Sequence, residues 1–242
     1  MTFTPAEKKK IIESLRKVIP PEKVQADERR ILTALRDAGI EVRSVQDLIG
    51  RWIPREAAVV LTEMLPEIVA MNWKSIVAQA LITDSARGIA ERTLLREFVS
   101  MNPVRPREFD AKWTIGWALG CLANPDLYDE MLEIAQDRRH GAARRMLIEE
   151  MHRFKDPRVV DVLIGLLGDR QVRGGAIFAL RKLHPAKARS HLEPLLSDPD
   201  KYIREEARKA IGAIDRAIAR ERERELKKSS HSKRGQESNG AD

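Results

Sequence analysis

The chain has 242 residues, of which 43% are hydrophobic and 33% charged, and its net charge is +7 at neutral pH. This composition excludes a wholly disordered chain and is typical of a soluble helical protein with one or two domains. The single cysteine, Cys121, excludes an intrachain disulfide, a Cys₂ or Cys₄ zinc site and a CxxC redox pair. The basic excess is spread along the chain, whereas a dedicated DNA-binding protein usually has a clustered basic stripe.

The first 51 residues predict a helical cap ahead of a repeat array. Apolar residues at helical spacing indicate a helix over about 5–18, a second over about 26–38 and a short third around 45–49. The N-terminal lysines precede no long apolar run, and no window approaches 18 uncharged apolar residues. We therefore expect a cytoplasmic protein with no membrane partner.

Five segments within residues 73–214 share one helical pattern and align without gaps. Each has an apolar residue four and eight positions after its first, which places both on one helical face. Four of them have alanine at position seven, where Glu150 is the exception and needs a partner if it is buried. The segments are WKSIVAQALITD from Trp73, AKWTIGWALGCL from Ala111, ARRMLIEEMHRF from Ala143, VRGGAIFALRKL from Val172 and IREEARKAIGAI from Ile203.

A further amphipathic helix precedes each segment, and turn residues such as Asn124-Pro125 and Asp156-Pro157 separate the helices. Each unit is therefore predicted to be a helical hairpin of about 30 residues, which buries its apolar face only by stacking on a neighbour. The preceding helices are predicted in REAAVVLTEMLPEI, AERTLLREFVSM, DLYDEMLEIAQDR, PRVVDVLIGLLGD and ARSHLEPLLSD.

The stretches DPRVVDVLIGLLGDRQVRGGAIFALRKL and DPDKYIREEARKAIGAI resemble HEAT repeats, of the short bacterial kind also found in bilin lyases. The resemblance implies an all-α fold: an α-solenoid of about five HEAT-like helical hairpins over residues 52–214, with residues 1–51 as its N-terminal cap. Residues 215–228 are predicted to form a charged extension of the last helix, and the polar residues 229–242 a disordered tail. The resemblance implies little about function, because HEAT arrays serve many roles.

The residue directly after the first residue of every segment is basic, which suggests either a phosphate-binding ladder or a structural one. We favour the structural ladder, because in HEAT-like repeats this residue usually pairs with an aspartate of a nearby turn. Asp137, Asp169 and Asp200 precede three of the basic residues by four to seven positions. The basic column consists of Lys74, Lys112, Arg144, Arg173 and Arg204.

The five aligned segments form the second helix of each predicted hairpin. A row of side chains on the outer side of these second helices is the predicted partner-binding surface. Trp113 and Trp117 are one helical turn apart, and large exposed aromatics often mark interaction surfaces. A preceding helix or the long loop over 102–110 could equally cover them, and Trp52 is expected to contact the cap. The predicted set is Trp113, Trp117, Arg145, Glu149 and Phe178, with Arg105 and Arg107 in the loop.

Within this row, Trp117, Glu149 and Phe178 suggest a clamp for a cationic group, because ring faces and a carboxylate both attract positive charge. The alternative is that Glu149 pairs with Arg145, four residues earlier on the same helix.

The sequence offers little support for catalysis, for a metal or for a cofactor. The five histidines form no HExxH motif, and neither GxGxxG nor GxxxxGK[ST] occurs. We expect a non-enzymatic scaffold or adaptor that binds another protein or peptide on its second-helix face. The alternative is nucleic-acid binding. A remote case of it is a protein similar to the HEAT-like alkylpurine DNA glycosylases, whose aromatic and acidic side chains lie near the lesion.

Overall fold

The computed structural model describes residues 21–238, and this part of the chain is all-helical, with no β-strand. The all-α prediction is therefore confirmed for it, whereas the helix predicted over 5–18 lies outside the described residues. Short 3₁₀ helices connect many of the α-helices, including one at Val45–Leu48 where the sequence predicts a short helix. The α-helices are α1 (Pro21–Asp37), α2 (Arg55–Met64), α3 (Met71–Ala80), α4 (Glu91–Ser100), α5 (Pro106–Leu122), α6 (Tyr128–Gln136), α7 (Arg145–Glu150), α8 (Arg158–Leu166), α9 (Arg173–Leu183), α10 (Arg189–Leu192) and α11 (Lys201–Ser238).

The chain divides into two compact units, residues 1–179 and 180–242, and the division falls inside α9. In the first unit α1 packs on α2 and α3, α4 packs on α5, and α6 contacts α7 and α8. Helix α5 lies between α3 and α7, so second helices of successive predicted hairpins are neighbours. In the second unit α11 packs on α10 and on the 3₁₀ helix Glu193–Ser197.

The predicted core positions of the five segments are buried, except that Ile211, eight positions after Ile203, is half-buried. The residues four positions after each start are fully buried, and the alanines at position seven are almost completely so. Glu150 is also buried and receives a 2.6 Å hydrogen bond from Arg153, not from a residue of the basic column. The residues at the fourth position are Val77, Ile115, Leu147, Ala176 and Ala207.

Three local predictions differ from the structure. The loop predicted over 102–110 is shorter, because α5 begins at Pro106; proline suits a first turn, where its missing N–H needs no partner. Helix α11 runs to Ser238, well into the tail predicted to be disordered, because each residue added to an existing helix needs no new nucleation. Trp52 is 78% exposed, so it does not make the buried contact with the cap that the sequence suggests.

Candidate functional site

The two tryptophans of the predicted partner-binding surface are half-buried on α5, not fully exposed. Gly116 and Gly120 follow them by three residues each. An ideal Cβ at Gly120 would lie 3.3 Å from the carbonyl oxygen of Leu147 on α7, and one at Gly116 would lie 3.4 Å from that of Ala143, just before α7. Because residues three apart lie on neighbouring parts of a helix surface, both indoles flank the seam between α5 and α7.

Across that seam, Arg145 and Glu149 form an ion pair on α7. Nε of Arg145 donates to Oε1 of Glu149 at 3.1 Å, and the Glu149 side chain is 4% exposed. This is the pairing that the sequence offers as the alternative to a cation clamp. A cationic guest would therefore have to compete with Arg145 for the carboxylate, so the clamp receives no support from the geometry.

Helix α9 approaches α7 closely at this pair. An ideal Cβ at Gly175 would lie 3.0 Å from the carbonyl oxygen of Arg145 and 3.2 Å from Cγ of Glu149, so only glycine fits without movement. The half-buried Phe178 follows Gly175 by three residues and meets the ring of His152 edge-on, with centroids 6.1 Å apart. Nδ1 of His152 is 2.9 Å from the carbonyl oxygen of Glu149.

His152 is the member of this site that sequence reasoning missed. The histidines form no metal-binding motif in the sequence, but His152 follows Glu149 by three residues, a spacing that brings side chains together on a helix. We call the combined surface the aromatic–arginine face; it comprises Trp113, Trp117, Arg145, Glu149, His152 and Phe178.

One donor of Arg145 has no acceptor among the described residues: its Nη2 is buried and makes no hydrogen bond. Such a group costs about 1–3 kcal/mol until an acceptor reaches it. The guanidinium is meanwhile held in place through Nε by Glu149. The face thus combines an oriented hydrogen-bond donor with half-buried aromatic rings.

Arg105 and Arg107 lie apart from this arrangement, both exposed at the start of α5. Arg105 is about 12 Å along the helix from Trp113, at 1.5 Å per residue. It donates to Glu108 at 2.9 Å, and the pKa of Glu108 is held below its usual value by hydrogen bonds from the Asn102 amide and from Arg105. The two arginines therefore belong to the N-terminal turn of α5 and do not extend the face.

The basic column points inward at carbonyl groups where preceding helices end. Lys112 is fully buried and donates to the carbonyl oxygen of Met101, just after α4, at 2.7 Å. Lys74 pairs with Glu97 and lies 3.5 Å from the carbonyl oxygen of Pro66. Such carbonyls lack intrahelical partners and carry the negative end of the helix dipole, which favours a cation.

Two arginines of the basic column, Arg144 and Arg204, also donate to backbone carbonyl oxygens. Nη1 of Arg144 donates to the carbonyl oxygen of Ala135 at 2.7 Å, near the end of α6. Nη1 of Arg204 donates to the carbonyl oxygens of Asp198 and Pro199 at 2.7 and 2.9 Å. Arg173 is half-buried at the start of α9.

The aspartate partners differ from those that the sequence suggests. Asp137 binds Arg139, with Oδ2 2.7 Å from Nη2, and not the Arg144 that follows it by seven residues. Arg144 instead donates to Asp169, 25 residues later, at 2.6 Å. The carboxylate of Asp200 accepts a hydrogen bond from the backbone amide of Tyr202, so it stabilises the turn in which it lies. The bond from Arg144 to Asp169 therefore joins consecutive predicted hairpins.

Burial changes the titration of this region. Burial lowers the pKa of Lys112 to about 8, although the negative charges of Asp137 and Glu108 act to raise it. Its Nζ lies 4.7 Å above the centre of the Phe98 ring, which His140 meets edge-on at 5.3 Å. Burial also lowers the pKa of His140, as does the nearby charge of Lys112. Lys112 is fully buried and His140 is half-buried against Phe98, so we assign both to stability and not to binding.

Within residues 21–238, no cluster of histidine, cysteine and carboxylate side chains could hold a metal ion. No helix in the same part of the chain is both long and apolar enough to cross a membrane. Comparison of the chain with protein-family models, curated proteins and solved structures gave no match. The resemblance to HEAT repeats therefore rests on the sequence pattern.

Proposed function

We propose that this protein is a non-enzymatic helical-repeat adaptor, with HEAT-like hairpins stacked as an α-solenoid, that binds another protein or peptide at the aromatic–arginine face. The observation that carries the proposal is the buried Nη2 of Arg145, a donor that makes no hydrogen bond within the described residues. It belongs to α7, which packs against α5 and α9, the two helices that carry the half-buried rings. Buried polar groups in proteins are nearly always hydrogen-bonded, so this one calls for a partner group.

The chemistry of the face suits a protein partner. Tryptophan and arginine dominate the binding energy of protein interfaces, and residues held rigidly before binding lose less entropy. Glu149 fixes the guanidinium, and the close approach of α9 at Gly175 fixes Glu149. The Arg145 side chain is 14% exposed, so a small movement toward the surface would let a carbonyl or carboxylate oxygen of the partner accept a hydrogen bond from Nη2. Apolar groups of the partner would then cover the rings.

The glycosylase alternative gains no support at this face. An acidic side chain near a lesion would have to be accessible, whereas Glu149 is buried and engaged by Arg145.

Affinity capture with matched variants tests the proposal. The double variant Trp117→Ala/Arg145→Gln removes a ring and the donor, while Trp52→Ala removes an exposed tryptophan elsewhere. We expect proteins captured by the wild type and by Trp52→Ala to be lost from the double variant. Binding of one purified partner should then weaken at least about tenfold, roughly the 1.4 kcal/mol of one good contact. Capture of the same proteins by a folded double variant would contradict the proposal.

A further inference from the structure

A groove lined almost entirely by basic side chains lies in the second unit, between the end of α9 and the middle of α11. It encloses about 470 Å³. Every charged side chain that lines it is basic within the part of the chain the structure describes. The lining residues are Arg181, Lys182, His184, Arg208, Lys209, Gly212, Ala213 and Arg216.

Two acidic residues of α11 near the groove, Glu206 and Asp215, pair with basic side chains. Glu206 is buried. Its Oε1 lies 2.7 Å from Nζ of Lys209 and its Oε2 lies 3.6 Å from Nη2 of Arg181, so one carboxylate orients two of the basic side chains. Asp215 pairs with Arg189 at 2.6 Å, on another part of the unit. The lining of the groove therefore carries five permanently charged bases and no carboxylate, which gives the groove a positive potential.

The groove also lacks apolar anchors. Gly212 and Ala213 are its uncharged lining residues, and an ideal Cβ at Gly212 would lie 3.4 Å from Nη1 of Arg216. Protein interfaces are depleted of charge at their centres and use aromatic or aliphatic anchors, whereas nucleic-acid interfaces are polar and strongly positive. The composition of the groove thus favours a nucleic acid over an acidic peptide.

We propose that this groove binds the phosphodiester backbone of a nucleic acid without reading its sequence. Arg208 and Arg216 are eight residues apart on α11, which is about 12 Å along the helix axis. That length spans three to four phosphates of one duplex strand, at about 3.4 Å each. The guanidinium fork suits phosphate oxygens, and the flexible Lys182 and Lys209 add point charges beside it.

Fluorescence anisotropy of a labelled duplex of ~20 base pairs tests the site, with binding measured across a salt series. The groove variant is Lys182→Gln/Arg208→Gln/Arg216→Gln, and all three side chains are exposed. The matched control, Arg220→Gln/Arg222→Gln/Arg224→Gln, removes the same charge from exposed positions further along α11. Circular dichroism melts establish that both variants are folded.

We expect the groove variant to bind at least about tenfold more weakly than the wild type. Its slope of log K against log salt should be shallower by about 2–3, since each lost phosphate contact contributes about 0.9. The control should bind within about threefold of the wild type, because charges outside the site act only through screened long-range attraction. Wild-type binding by the groove variant, or equal losses in both variants, would overturn the proposal. So would tighter binding of a glutamate-rich peptide than of the duplex at ~0.15 M salt.

Discussion

Buried lysine and arginine side chains stabilise the helix ends of this protein. Lys112 shows that burial at such a site also disfavours the charged form of the side chain. Its ammonium group donates to Met101 and lies over Phe98, but its pKa falls to about 8 because burial disfavours the charged form. An unfolded lysine titrates near 10.4. Between these two values the unfolded chain binds more protons than the folded one, so the contribution of Lys112 to stability must rise with pH.

We predict that this contribution increases by about 1 kcal/mol between pH 7 and pH 9. Urea unfolding of the wild type and of Lys112→Met at both pH values measures it. The difference in unfolding free energy between the two proteins should shift in favour of the wild type as the pH rises. An unchanged difference would mean that Lys112 keeps an ordinary pKa when folded.

The buried bond between Arg144 and Asp169 gives a second prediction at the residue scale. Arg144 is fully buried, so Asp169→Asn would leave its charge without a counterion. We expect a loss of about 3 kcal/mol in unfolding free energy. The control is Asp84→Asn, whose 92% exposed side chain pairs with Arg87 and should contribute less than about 1 kcal/mol. Equal losses would show that the buried pair has no special role.

At the scale of helices, glycines set how closely α5 and α7 pack. An ideal Cβ at Gly120 would lie 2.5 Å from Cβ of Glu150, a separation that real side chains do not adopt. Gly120 therefore makes room for the one carboxylate that interrupts the alanine positions. The sequence shows Glu150 as an exception to the alanine pattern, but only the structure shows that Gly120 lies opposite it.

We predict that Gly120→Ala destabilises the protein by about 1–3 kcal/mol, because the helices must separate. Gly165→Ala on α8 is the matched control, since nothing lies within 4 Å of its ideal Cβ. There alanine should stabilise by up to about 1 kcal/mol through its better helix propensity. Thermal melts compare the two variants, and a stabilised Gly120→Ala would contradict the packing described for α5 and α7.

The apolar spacing predicts the helices and their buried positions well, because burial of one face is what creates that spacing. It does not predict side-chain partners that come from other hairpins, such as Asp169 for Arg144. It also places Glu149 on an outer ridge, although the close approach of α9 at Gly175 buries it. Spacing within one helix carries no information about how near the next helix comes.

At the scale of the whole molecule, the division into units changes how the charge is distributed. Residues 180–242 carry 16 lysines and arginines against 11 aspartates and glutamates, an excess of +5 out of the total of +7. The predicted end of the array at residue 214 divides this excess between the array and the C-terminal segment, so neither segment stands out as basic. The spacing of apolar residues does not reveal the division at residues 179 and 180, which assigns this excess to one unit.

The second unit should depend on α11 for its stability. Ile203 and Ile214 of α11 are buried, and α11 packs against α10 and its neighbouring 3₁₀ helix. Deleting residues 201–242 should cost at least about 3 kcal/mol, the transfer free energy of two buried isoleucines. Deleting only residues 229–242 should leave the melting temperature unchanged. Calorimetry of both truncations measures this, and equal melting temperatures would contradict the role given to α11.

Photo-crosslinking at position 117 tests the central claim, that the aromatic–arginine face binds a protein partner, most directly. p-Benzoylphenylalanine replaces Trp117 in one variant and the exposed Trp52 in another, and adducts formed in the native cell are compared. We predict a discrete protein adduct from position 117 that is absent from position 52 and is lost when Arg145→Gln is added. No adduct from a folded position-117 variant, or the same adducts from both positions, would contradict the account.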